Sequence, residues 1–185
     1  MSYRKWVLAA SLLLFTGIIA GIVNPAGSGL SIEDIAGLKE LTKILIPGSA
    51  IVFIFILIKN VMALVISFAF SPIFCITPII TLLSNGWLIG YISPGVIEQK
   101  SIGYVLVGIL PHGIFEIPAL VMAQAAALNF GAHTLMTVFK KRKSQPIAAN
   151  FKYNVRYLVI ALFLLVPAAI IETFLTPWLL KSIAT

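Results

Sequence analysis

LPHGIFEIPAL, residues 110–120, lies inside an apolar run that extends from Ile102 to Leu128. It places a histidine and a glutamate between two prolines. If the run is a helix in hydrocarbon, His112 and Glu116 are four residues apart, so they share one helical face about 6 Å apart along the axis. Pro111 suits the first turn of a helix, so the spacing predicts a membrane helix interrupted near PHG. The composition around it says that hydrocarbon is the solvent. Of 185 residues, 60% are hydrophobic and 10% charged, with a mean hydropathy of +1.07. Soluble domains average about a quarter charged residues. Charge-free runs of about 20 residues are what crossing a ~30 Å hydrocarbon layer requires. The expected fold class is therefore an all-α integral membrane protein.

Five crossings follow from the run lengths. The first covers residues 6–23 and is read as an uncleaved helix, because no A-x-A cleavage pattern follows it. NPAGSG at 24–29 stops it with turn formers. Residues 31–43, SIEDIAGLKELTK, read as a short amphipathic helix outside the hydrocarbon, with Ser31 and Asp34 in a capping arrangement. The almost continuously apolar stretch of 49 residues from Ile44 to Ile92 suits two crossings. Proline disfavours helix at the residue before it, so FSP at 70–72 divides the stretch into helices at 46–69 and 72–92. SPGVIEQKS, 93–101, reads as a polar loop. The fourth helix is expected at 102–128, with Pro111 and Pro118 inside it, and the fifth at 155–180 around Pro167. All five belong to one transmembrane domain.

Charge placement orients the bundle. The loop expected at 129–154 holds Lys140, Lys141, Arg142, Lys143 and Lys152 and no acid. By the positive-inside rule it is cytoplasmic, as is the N-terminus with Arg4 and Lys5. The C-terminus then lies outside the cell membrane. A net charge of +7 reports this topology, and no nucleic-acid partner is expected. Cys75 is the only cysteine, so no internal disulfide is available.

Ionisable groups at membrane depth cost several kcal/mol unless paired or wetted, and with other strongly polar groups there they mark candidate sites. Here they are Lys59 with Asn60, Asn85, His112 with Glu116, and Glu172. The face of His112 and Glu116 continues as Ala119, Ala123 and Ala127. Gly17 with Gly21, and Gly86 with Gly90, repeat the small-residue spacing of close helix pairs. Thr77, Thr81 and Asn85 form another polar stripe. At 1.5 Å per residue, Lys59 and Glu116 come out roughly 20 Å deep, and Asn85 and Glu172 roughly 10 Å from the outer surface. Two levels are expected, with Lys59 meeting Glu116 and Asn85 meeting Glu172. A histidine and two glutamates can also ligate a metal, but no HExxH or other zinc spacing is present, so cofactor and metal stay open.

LPHGIFEIPAL, followed by small residues and Gly131, resembles the signature of the stage II sporulation protein M family. AAIIETFLTP at 168–177 resembles that family's C-terminal motif. IKN at 58–60 and SNGWLIG at 84–90 match weaker family patterns. The resemblance covers the chain from Ile44 onward. It implies a multi-pass protein of about five helices, whose namesake acts as a scaffold for a peptidoglycan-degrading complex during engulfment. Where the family often shows paired asparagines, this chain has Lys59 before Asn60, which favours a Lys59–Glu116 pair. The first functional expectation is a non-enzymatic scaffold that self-associates or assembles with other membrane proteins in the lipid bilayer. The second is a transporter or channel whose Glu116, His112, Glu172 and Asn85 line a site for an ion or small polar solute.

Overall fold

A computed structural model describes residues 3–24, 48–140 and 146–183. The amphipathic helix expected at 31–43 and the basic residues 141–143 lie outside the described residues. The described chain is helical, with no strand. Helix α1 is Tyr3–Val23, α2 Ala50–Phe70, α3 Ile76–Gln99 and α4 Ile102–Lys140. Helix α5, Ile147–Ile170, continues through a π-helical turn, Ile171–Leu175, into α6, Thr176–Ile183. Among the described residues five helical spans are long and apolar enough to cross a membrane, the last being Ile147–Ile183.

The helix ends differ from those expected, each for a local reason. Helix α2 starts where the Ser49 side chain accepts the Val52 N–H at 3.3 Å. Its connection to α3 is longer than FSP. Phe74 (φ 52°) and Cys75 (φ 56°) both take the left-handed conformation, and α3 begins only at Ile76. Helix α3 then absorbs most of the expected polar loop and runs through Pro94 to Gln99. The chain turns at Lys100 and Ser101, and the Ser101 hydroxyl accepts the Tyr104 N–H at 3.1 Å to open α4.

Helix α4 is not interrupted near PHG. It is continuous for 39 residues with Pro111 and Pro118 inside it. Each proline removes one N–H and costs about 3 kcal/mol in a helix interior. Breaking the helix there would expose several backbone groups to hydrocarbon at several kcal/mol each. Continuing is the cheaper outcome.

At 1.5 Å per residue α4 is about 58 Å long, nearly twice the hydrocarbon thickness. The segment expected as a basic loop at 129–154 is thus mostly two helix ends. Helix α4 reaches Lys140 and α5 already begins at Ile147, after Pro146. The same end of the bundle holds the start of α1. The Tyr3 ring stacks on Tyr157 at 3.8 Å, and its hydroxyl donates to the Met122 carbonyl at 2.8 Å.

Packing follows the small residues. Helix α4 touches every other helix, and Ala119, Ala123 and Ala127 on its inward face are buried. Helices α1 and α3 lie backbone to backbone along the two glycine pairs. A Cβ at Gly17 or Gly21 would strike the carbonyl of Leu83 or Trp87. One at Gly86 or Gly90 would strike that of Leu14 or Ile18. Large apolar side chains such as Leu12, Phe15, Ile51 and Phe163 face outward, as a lipid-facing surface requires.

Candidate functional site

Helices α2, α3, α4 and the π-helical turn bring the polar residues of the membrane interior to one place. The Asn60 side-chain amide on α2 donates to Glu116 Oε1 on α4 at 3.2 Å. On the other side of the carboxylate, Glu116 Oε2 lies 3.7 Å from His112 Nε2. Glu172 completes a triangle: ligand atoms of His112, Glu116 and Glu172 lie within 4.8 Å of one another. A cavity of about 180 Å³ adjoins them, and Lys59 and Asn85 are in its wall. A much smaller void, about 20 Å³, lies on the Asn60 side and is bounded by Leu64, Leu120 and Leu165.

Two expectations are corrected here. The first is the pair of levels. Recounted from the observed ends at 1.5 Å per residue, Lys59 is about 14 Å from the start of α2 and Glu116 about 21 Å from the start of α4. Asn85 is about 21 Å from Gln99, and Glu172 about 17 Å from Ile183. The seven residues that α3 gains at its C-terminal end lower Asn85, and all the groups come to one depth. The second is the Lys59–Glu116 pair. Lys59 lines the cavity and its charge acts on Glu172, and Glu116 is met by Asn60 and His112 instead. Asn85 donates to the Thr81 carbonyl of its own helix at 2.7 Å, so its amide is spent locally although it faces the cavity.

Glu172 lies in the π-helical turn. Pro177 has no N–H to offer the Thr173 carbonyl four residues back, and the Thr176 N–H reaches Ile171, five back. The widened turn, Ile171–Leu175, shifts the side-chain spacing between Glu172 and the residues of α6 that follow. Such turns recur at functional sites. Nothing in local sequence reports this turn beyond the two prolines that bracket it, Pro167 and Pro177.

Chemically, the cluster offers one imidazole nitrogen and two carboxylates that converge. Two ionised carboxylates within 4.8 Å of each other repel by at least about 3.5 kcal/mol at an effective dielectric of about 20, less what the nearby Lys59 charge offsets. A proton or bound cation between them relieves that repulsion. The His112 ring is not committed elsewhere: its Nδ1 is buried with no hydrogen-bond partner among the described residues.

A second polar group was missed in the sequence, toward the end of the bundle that holds Lys140. The Ser67 hydroxyl donates to Gln124 Oε1 at 2.5 Å, and both residues are buried. Further along, Asn129 donates to Asn154 Oδ1 at 3.1 Å, and Asn154 donates to the Asn150 carbonyl and Oδ1 at 2.8 and 3.0 Å. Two signals were available. Gln124 lies eight residues, two helical spacings, beyond Glu116, and Asn150 and Asn154 are four apart.

Comparison with known proteins agrees with the motif resemblance. A family model described as Stage II sporulation protein M matches residues 10–177. An uncharacterized protein of Methanocaldococcus jannaschii is 27% identical over 175 residues, covering 94% of this chain and 95% of the relative. No solved structure matches.

Proposed function

From the premise that this chain belongs to the stage II sporulation protein M family, we propose that it is a non-enzymatic multi-pass protein of the cell membrane. Its intramembrane His112–Glu116–Glu172 cluster serves as a binding site for a small cation in transport or ion-coupled work. The observation that carries this reading is the 180 Å³ cavity against three convergent ligand atoms at membrane depth. A purely structural cluster would be dry and mutually bonded. This one leaves His112 Nδ1 unpartnered among the described residues. The α1 start and the α4–α5 end, adjacent through Tyr3 and Tyr157, face the cytoplasm on this reading. Arg4, Lys5, Lys140–Lys143 and Lys152 without acids support that side.

The test is flux. Proteoliposomes carrying the wild-type protein are expected to pass protons or metal cations, and Glu116→Gln and Glu172→Gln to reduce that flux at least tenfold. Wild-type flux no greater than that of empty liposomes would sink the reading.

A specific observation favours a second reading, a membrane scaffold. The Asn60–Glu116 bond joins α2 to α4 as interhelical glue, a role worth under about 1 kcal/mol on average. On that reading the glutamine variants lower thermal stability and no flux exists to change.

A further inference from the structure

Resting on the cation-site reading above, we infer that His112, Glu116 and Glu172 are ligands for one divalent transition-metal ion of the Zn²⁺, Mn²⁺, Fe²⁺ or Co²⁺ class.

The separations fit coordination better than hydrogen bonding. His112 Nε2 and Glu116 Oε2 are 3.7 Å apart, beyond hydrogen-bond range. Metal–ligand bonds of about 2.0–2.2 Å to imidazole and carboxylate allow two ligands on one ion to be at most about 4.2–4.4 Å apart. The 3.7 Å pair is inside that limit. Tetrahedral ligands at these bond lengths are about 3.4 Å apart, so the widest separation in the triangle, within 4.8 Å, closes by up to about 1.4 Å of side-chain adjustment, which rotation of the glutamates supplies. The cavity of about 180 Å³ beside the triangle leaves room for water or exchangeable ligands at the remaining positions.

The donor set selects the class of ion. One imidazole nitrogen with two carboxylates suits borderline divalent ions. Calcium takes six to eight oxygens, and magnesium is usually held through one or two carboxylates while keeping several waters, so neither uses the histidine. No thiolate is within the cluster, which disfavours copper(I).

Asn60 acts through Glu116. Its amide holds Oε1 at 3.2 Å and leaves Oε2, the oxygen facing His112, free to coordinate. Asn60 is thus a positioning residue, the outer-shell partner that metal-bound carboxylates commonly have.

The experiment uses the full chain, purified in detergent without a polyhistidine tag and stripped with chelator. Titration with Co²⁺ alone is expected to give one equivalent bound, with visible d–d bands that Zn²⁺ displaces and Mg²⁺ does not. His112→Ala and Glu172→Gln are each expected to weaken Co²⁺ binding about 100-fold, and Asn60→Ala about tenfold. Far-UV circular dichroism and gel-filtration elution identify any variant that fails to fold. Glu172→Asp, which keeps the charge and shifts the oxygen, replaces such a variant and is expected to alter the d–d spectrum. Undetectable Co²⁺ binding by the wild type, binding unchanged in both ligand variants, or equal displacement by Mg²⁺ overturns the inference. Proton or sodium flux that disappears in Glu172→Gln without any Co²⁺ binding overturns the metal assignment and leaves the cation-site reading standing. Absence of both binding and flux overturns the two together.

Discussion

Gly86→Val is expected to cost several kcal/mol and to separate α1 from α3. A Cβ at this position falls inside the Leu14 carbonyl and also crowds the backbone nitrogen of Ile18. Backbone cannot rotate aside as a side chain can. Overpacking in a core that retains some slack costs about 1–3 kcal/mol, and a backbone-to-backbone clash belongs at or above the top of that range. Gly90→Val behaves alike, meeting the carbonyl of Ile18. Thermal unfolding in detergent, followed by circular dichroism, measures the loss. Gly95→Val is the control, because nothing lies within 4 Å of a Cβ there, and it should change stability by less than about 1 kcal/mol beyond helix propensity. A melting temperature for Gly86→Val equal to that of Gly95→Val would show that the glycine seam is not a close contact.

Asn154→Leu is expected to destabilise by about 2 kcal/mol, the desolvation cost of a buried polar group left without its partner. Asn154 is fully buried and takes part in three side-chain hydrogen bonds. Its loss strands the Asn129 amide, which is only 8% exposed. Adding Asn129→Leu is expected to recover more than half of the loss, because two apolar partners leave nothing stranded. A double-mutant cycle on unfolding free energies measures this. Strict additivity of the two losses would remove the coupling between α4 and α5 at this end.

Much of the fold was legible because the relevant physics is local. A span needs only enough apolar length, and five runs supply it. Gly17, Gly21, Gly86 and Gly90 announced close packing through spacing alone, and each sits at a backbone contact. The polar residues of the interior were equally visible, since charge and amide groups are conspicuous in apolar sequence. Their pairing was not. Predicted depths inherited the error in each helix end, and seven residues at the end of α3 amount to about 10 Å. That alone separated Asn85 from the group it joins.

The prolines of LPHGIFEIPAL show the same division. Propensity argues for a break there, and propensity is a property of the residues. Whether the helix does break is a comparison between losing two hydrogen bonds and exposing a whole turn of backbone to lipid. The second cost exists only in the assembled bundle within a membrane.

The amino-acid sequence by itself determined the solvent, the number of crossings, the small-residue seams and the identity of the groups that must find partners. Each of those is written in composition, length or spacing. Only the tertiary structure decided that Asn60 rather than Lys59 bonds Glu116, that Glu172 comes within 4.8 Å of His112, and that a cavity remains beside them. Those outcomes depend on how far each helix extends and how closely its neighbours approach. Interhelical packing sets both, because lipid offers buried polar groups no alternative partner.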